Sequence, residues 1–240
     1  MSSVFHKIHP DLGQLSFQWM RALALQNPLG FARTMIREAM KNGNLVKSLK
    51  NCHVKGLDSY VLYDSKKEGG FMLRIFFAYP GSLDNIYDRN GNFILGIHNH
   101  RFDISFIPIL GAMVNVRTEI LPNPTPESTR LHEFSFSSAI LNGAMSADYQ
   151  KPVDATPLRE DVLMPGMHAT MKAEELHTVR IKNSEATEGV AWIVIEGPDI
   201  NPDSLIYGTK EKLTLNREEL YQTMTKEEVI PRLQWLMERI

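Results

Sequence analysis

The stretch Phe93-Ile-Leu-Gly96-Ile-His98-Asn-His100-Arg-Phe102-Asp103-Ile104-Ser-Phe106-Ile107-Pro-Ile109-Leu110 decides the fold of this chain. Its aromatic and β-branched residues predict a strand. Side chains two apart on a strand share a face, so His98 and His100 project together from an otherwise apolar element. Two imidazoles placed this way suit a single metal ion.

Outward from this stretch, residues of about 58 to 210 form short apolar runs broken by turn residues. The breaks fall at Gly69-Gly70, Pro80-Gly81, Asp88 to Asn92, Pro122 to Pro124, Pro165-Gly166 and Glu196 to Asp199. Strands at this spacing, with no helix-length segment between them, predict an antiparallel sandwich or barrel. Residues 137–160 lack a strand pattern and are expected to form a long loop at one rim.

Both ends read as helical. Leu15, Phe17, Trp19, Met20, Leu23 and Leu25 predict a largely buried helix. Asn27-Pro28 caps a second, which carries Phe31, Met35, Ile36 and Met40 and stops at Asn42-Gly43. Near the other end, Asn216 to Glu219 and Thr225 to Glu228 look like capping boxes. Val229, Leu233, Trp235, Leu236 and Ile240 follow, with Pro231 expected to kink or restart the last helix. The expected organisation is a helical extension (1–57), a barrel (58–210) and C-terminal helices (211–240) within one domain.

The 240 residues carry a net charge of −2, 43% hydrophobic and 22% charged residues, as in an ordinary globular protein. A balanced charge with no basic, aromatic-studded stripe gives no footing for nucleic acid. The single cysteine, Cys52, excludes an internal disulfide and is compatible with a reducing compartment. No apolar signal core or membrane-length segment is present, so a cytoplasmic protein without a membrane partner is expected. Phosphate-binding loops and a nucleophile elbow are absent.

The central region resembles the cupin superfamily. His98-Asn-His100 is followed by Gly111 at the interval of the shorter form of the first cupin motif, and Gly166 precedes His177 by the eleven residues of the second. The resemblance implies a mainly β fold: an antiparallel jelly-roll barrel, here with α-helices at both ends. It also implies His98, His100 and His177 as metal ligands. Ile104 stands where a typical cupin has its metal-binding Glu, and Lys172, Glu174 and Ile181 depart from the second motif. The chain is thus similar to three-histidine cupins of the cysteine-dioxygenase-like kind, which implies a divalent ion with Fe(II) favoured. Imidazole also suits Zn and Ni, and Mn stays open. Asp103 lies one residue from the expected carboxylate; alternation turns it away from the histidines, and only a bulge would bring it inward as a ligand.

Other residues carry alternative readings. His132 alternates with Phe134 and Phe136, either as a hydrogen-bonded core residue or as an acid–base group. Asn115, Arg117 and Glu119 share one strand face. That face is either a lumen lining in which Arg117 clamps a substrate carboxylate or a solvent face, and ordinary alternation favours the latter. Arg74 and Tyr207 lie in strands that can reach a ligand, His168 is unassigned, and His6, His9 and His53 read as solvated. Three functions follow: a mononuclear metal oxygenase on a small polar molecule, a non-redox metal-dependent isomerase, lyase or hydrolase, or a non-catalytic small-ligand binder. The terminal helices must be covered by the barrel or by a second subunit, and the resemblance makes a homodimer an expectation.

Overall fold

A computed structural model describes residues 13–42, 44–53, 55–80, 96–141, 144–181, 188–211 and 221–240. Several expectations lie outside them: Phe93 to Leu95, the turns at Gly81 and 88–92, the Gly43 stop, the Asn216 to Glu219 cap, His6 and His9, and the side chain of Leu15.

Helices α1 (Gly13–Gln26) and α2 (Pro28–Asn42) precede the sheets and α3 (Lys226–Met237) follows them. One sheet has the order β13 (Gln222–Thr223), β1 (Leu49–Lys50), β2 (Leu57–Asp64), β3 (Met72–Ala78), β11 (Val190–Asp199), β5 (Phe102–Leu110), β9 (Ala169–Met171). The other closes on itself in the order β10 (Leu176–Ile181), β4 (Ile97–His98), β12 (Ser204–Gly208), β7 (Thr129–Leu141), β8 (Ala144–Leu163), β6 (Met113–Leu121). Strand pairs in both are antiparallel. The architecture is the expected mainly β, antiparallel barrel with α-helices at both ends.

Two layers of core explain why the central strands are apolar without interruption. Alternate residues of β3, β5 and β11 (Leu73, Ile75, Ile107, Ile109, Ile193, Ile195) meet Phe17, Met20, Ile36, Leu233 and Leu236 of the helices. The intervening residues (Phe106, Ile104, Trp192, Val194) face the barrel interior with Met113, Leu163 and Ile181. Strands buried on both faces lose the polar half of the usual alternation. The apolar sides of the helices therefore close on the chain's own sheet. Residues Gly111 (φ 66°) and Gly166 (φ 86°), the two motif glycines, each turn the chain in the left-handed region that glycine enters without strain.

Three local expectations are corrected. Residues 137–141 and 144–160 belong to β7 and β8, not to a loop. Residues 148–152 and 157–160 of β8 are exposed and only Val153 and Ala155 between them are buried, too few to imprint a strand pattern on the sequence. Helix α1 is one-sided rather than largely buried: Phe17 and Met20 are enclosed while Trp19 is 45% exposed. Helix α3 runs through Pro231 without restarting, anchored by a complete capping box between Thr225 and Glu228.

Candidate metal centre

His98 on β4 is the register partner of His177 on β10, so their side chains leave the closed sheet on one face. His100 follows two residues later, in the link to β5. That link is fixed by hydrogen bonds from Asn99 N to Leu205 O (3.1 Å) and from His100 N to Ala173 O (3.0 Å). The three rings meet with centroids 4.7, 4.9 and 5.1 Å apart, and one ligand nitrogen from each lies within 4.8 Å of the others. Phe102 stacks on His100 and Phe106 on His177, fixing the planes of both imidazoles.

The hydrogen bonds decide which nitrogens face the centre. His98 Nδ1 is 2.8 Å from Gly96 O, and His177 Nδ1 is 2.7 Å from the Asn115 amide oxygen. Both acceptors require Nδ1–H, so each Nε2 carries its lone pair inward. His177 Nε2 stands 2.9 Å from His100 Nε2. At this distance the two nitrogens share either a proton or a metal ion, and three neutral imidazoles on one side fit a divalent transition metal. Burial pushes the pKa of each histidine below its ordinary 6.5, and His98 adds to the effect on His100 and His177. The neutral, ligating forms are thus the ones the fold favours.

The triad opens into a cavity of about 380 Å³ between the sheets. Phe76, Phe102, Phe106 and Trp192 supply much of its apolar wall. A charged wall faces them: Arg74 Nε lies 2.8 Å from Glu196 Oε1, Lys66 Nζ 2.8 Å from Asp199 Oδ1, and Arg101 Nη1 3.1 Å from Asp199 Oδ2. The Arg74 contact is a charge contact without an aligned hydrogen bond, because the buried Nε–H is not directed at the carboxylate. Among the described residues its Nη2 meets the Met72 sulfur and its Nη1 reaches Ser59 at 3.4 Å. Lys66 also sits over the Phe102 ring, 3.6 Å from its centroid, and desolvation lowers its pKa.

The remaining candidates lie elsewhere. Asp103 points to the opposite face of β5 from Phe102 and Ile104, and it accepts from Ala173 N (3.1 Å) and Lys172 Nζ (2.8 Å). A register shift does occur here, but the extra residue is in β11, between Glu196 and Asp199, so Asp103 keeps simple alternation. Arg117 shares the face of His177, its register partner, yet its guanidinium is bound to Asp161, Glu175 and Thr170 O, away from the cavity. His132 packs against Tyr149, outside the cavity lining, and its buried Nδ1 has no partner among the described residues. Tyr207 is buried and donates to Glu133, and His168 is exposed.

Sequence reasoning missed Asn115, which is fully buried and not on a solvent face, although Glu119 on the same side is exposed. It also missed His53, Lys66 and Tyr221 as cavity residues. The only signal for Asn115 was its two-residue offset from Arg117, and that could not tell lumen from solvent.

No protein-family model and no curated protein matches the sequence. Among solved structures, a hydroxypropylphosphonic acid epoxidase from S. wedmorenis is similar at 13% identity, with 62% of this chain and 53% of that one covered and a TM-score of 0.34. The match spans about half of the epoxidase's length. A cupin superfamily protein from Desulfitobacterium hafniense is similar at 11% identity over 63% of this chain and 98% of its own, with a TM-score of 0.32. Peruvianin-I, a cysteine peptidase from Thevetia peruviana latex, scores as high: 12% identity, 64% and 68% coverage, TM-score 0.34. Likenesses this slight carry no argument about chemistry, which rests on the residues of this chain.

Proposed function

We propose that this chain is a mononuclear metal-dependent enzyme of the cupin type, an Fe(II) dioxygenase-like oxidoreductase acting on a small polar molecule. The supporting observation is the convergence of three imidazoles, two of them locked by Gly96 O and Asn115 Oδ1 so that Nε2 faces the centre. Bound there, the ion would supply charge and open coordination positions for substrate and dioxygen. His98, His100 and His177 would hold it from one side, and Asn115 would keep His177 in the ligating tautomer. Lys66, Arg74 and Arg101 outnumber Glu196 and Asp199 on the charged wall, and their donors would orient a polar or anionic group of the substrate. Phe76, Phe106 and Trp192 would exclude bulk water around that group.

The test is elemental analysis of untagged protein and its His177→Ala variant, followed by oxygen-uptake screening of small acids and thiols. Near-stoichiometric iron that disappears in the variant, with substrate-dependent oxygen uptake, is the expected outcome. Zinc or nickel lost in the same way would replace the redox reading with Lewis-acid chemistry, because imidazole ligands do not choose among these ions. Full metal content in the variant would remove the triad assignment.

A further inference from the structure

A fourth histidine borders the same cavity, carried by a distorted piece of backbone. His53 and Tyr221 both line it, and His53 Nδ1 lies 2.7 Å from the Tyr221 hydroxyl. The phenol ring meets the imidazole edge-on at a centroid distance of 5.4 Å, and Phe76 lies against the imidazole at 6.3 Å. The two residues come from opposite ends of the chain and are brought together by pairing of β1 with β13 and by Tyr221 N donating to Asn51 O (3.1 Å).

Their backbone takes the left-handed region three times without glycine: Asn51 at φ 52°, His53 at φ 69° and Tyr221 at φ 56°. Asparagine tolerates this conformation, but for His and Tyr it costs roughly 1 kcal/mol each or more. The bends are over-determined by local bonds. Asn51 N donates to Asp58 Oδ1 and Gly56 N to Asn51 Oδ1, while Cys52 N donates to Leu57 O. Unfavourable backbone of this kind, held by its surroundings beside a cavity, marks a functional position.

The chemistry of the pair is specific. A phenol is the better donor of the two partners, so the Tyr221 O–H donates to Nδ1 and places the imidazole proton on Nε2. Nε2 has no hydrogen-bond partner among the described residues. His53 is an exposed residue that lines the cavity, and desolvation first, then His98 and Arg74, lower its pKa from the ordinary value. Both the lowered pKa and the Tyr221 hydrogen bond favour the neutral ring with its proton on Nε2.

We propose that His53 Nε2–H is a ligand-recognition donor for an acceptor oxygen, a carbonyl or carboxylate, of a small molecule whose apolar body rests on Phe76 and Trp192. Tyr221 is the positioning residue that sets the donor tautomer. The inference deepens the reading above by naming the ligand class and rests on it only for the cavity being the ligand site. The experiment therefore uses metal-free protein, so that a failure of metal binding and a failure of this recognition are separate results.

Benzoate serves as the probe, titrated calorimetrically, and two-bond proton–nitrogen NMR spectra report the His53 tautomer. Wild-type protein is expected to bind benzoate and show a bare Nδ1 with a protonated Nε2. His53→Leu should weaken binding about tenfold, the size of one hydrogen bond. His53→Gln, which keeps an amide donor, should restore affinity to within about threefold. Tyr221→Phe should mix the tautomers and weaken benzoate less than His53→Leu does. Equal affinity of wild type and His53→Leu, a protonated Nδ1 in the wild type, or no benzoate binding at millimolar concentration would each overturn the proposal.

Discussion

Asn115 controls the centre without touching the ion's place in it. Its amide oxygen takes the Nδ1 proton of His177, so the opposite nitrogen must present its lone pair. Asn115→Leu preserves volume but leaves that proton without an acceptor in a fully buried position. Affinity for zinc or cobalt(II), measured by competition with a chelating dye, should fall about 10- to 100-fold, with the circular dichroism spectrum unchanged. An unchanged affinity would show that Phe106 stacking alone orients the ring. Protonation makes a second residue-scale prediction. The triad pKa values are lowered in the native state, chiefly by burial, from an ordinary 6.5. Below about pH 6.5 the unfolded chain binds protons that the native chain refuses, so stability rises with pH across this window and falls on acidification. The urea midpoint of metal-free protein should drop from pH 7.5 to 5.5. Replacing His100 and His177 with Gln should flatten that dependence.

Among the elements, α3 shows how a terminal helix is fixed to the sheet below it. Arg232 reaches across to the Asp58 carboxylate of β2 and to the Tyr79 hydroxyl, and Asp58 has no solvent exposure. Tyr60 and Tyr79 also donate to that carboxylate, at 3.3 and 3.2 Å. Arg232→Ala would strand a buried charge, at a cost of about 2–4 kcal/mol, moderated because 32% of the Arg232 side chain is exposed. Adding Asp58→Asn should recover part of the loss, since the neutral amide needs no counter-charge; a purely additive double variant in urea denaturation would refute the coupling. These pairings also mark how far the sequence could be read. The His98/His100 pair and the spacing from Gly166 to His177 were legible because strand alternation and motif intervals are local properties. Asn115, Arg74 and Arg117 were not, because one residue of register separates lumen from solvent. His53 and Tyr221 stand 168 positions apart and meet only after β1 finds β13. Much of β8 escaped notice for the opposite reason: residues 148–152 and 157–160 meet water, and only Val153 and Ala155 between them are buried, too short a run to write a hydrophobic period.

At the scale of the whole molecule, the triad exists only when the closed sheet has formed. His100 and His177 are 77 positions apart and their Nε2 atoms meet at 2.9 Å, a geometry no unfolded ensemble holds. A cation that binds this arrangement and not the unfolded chain must raise stability by mass action. Free metal at a hundred times its dissociation constant contributes about 2.7 kcal/mol, which for a chain of this size is a rise of roughly 5–10 °C in Tm. Scanning calorimetry with Fe(II) under anaerobic conditions, or with Zn(II), should show that rise at pH 7.5, and a chelator should reverse it. Because the native imidazoles titrate below 6.5, protons compete weakly at pH 6.5 and the increment should persist there, fading only as pH falls further through the lowered values. His100→Ala removes a ligand from the centre and should abolish the increment at every pH while leaving the helix-covered sheet to melt as in the metal-free protein. A Tm that ignores metal in both proteins would mean that the three lone pairs are gathered for some other cation, the simplest being a proton shared between His100 and His177.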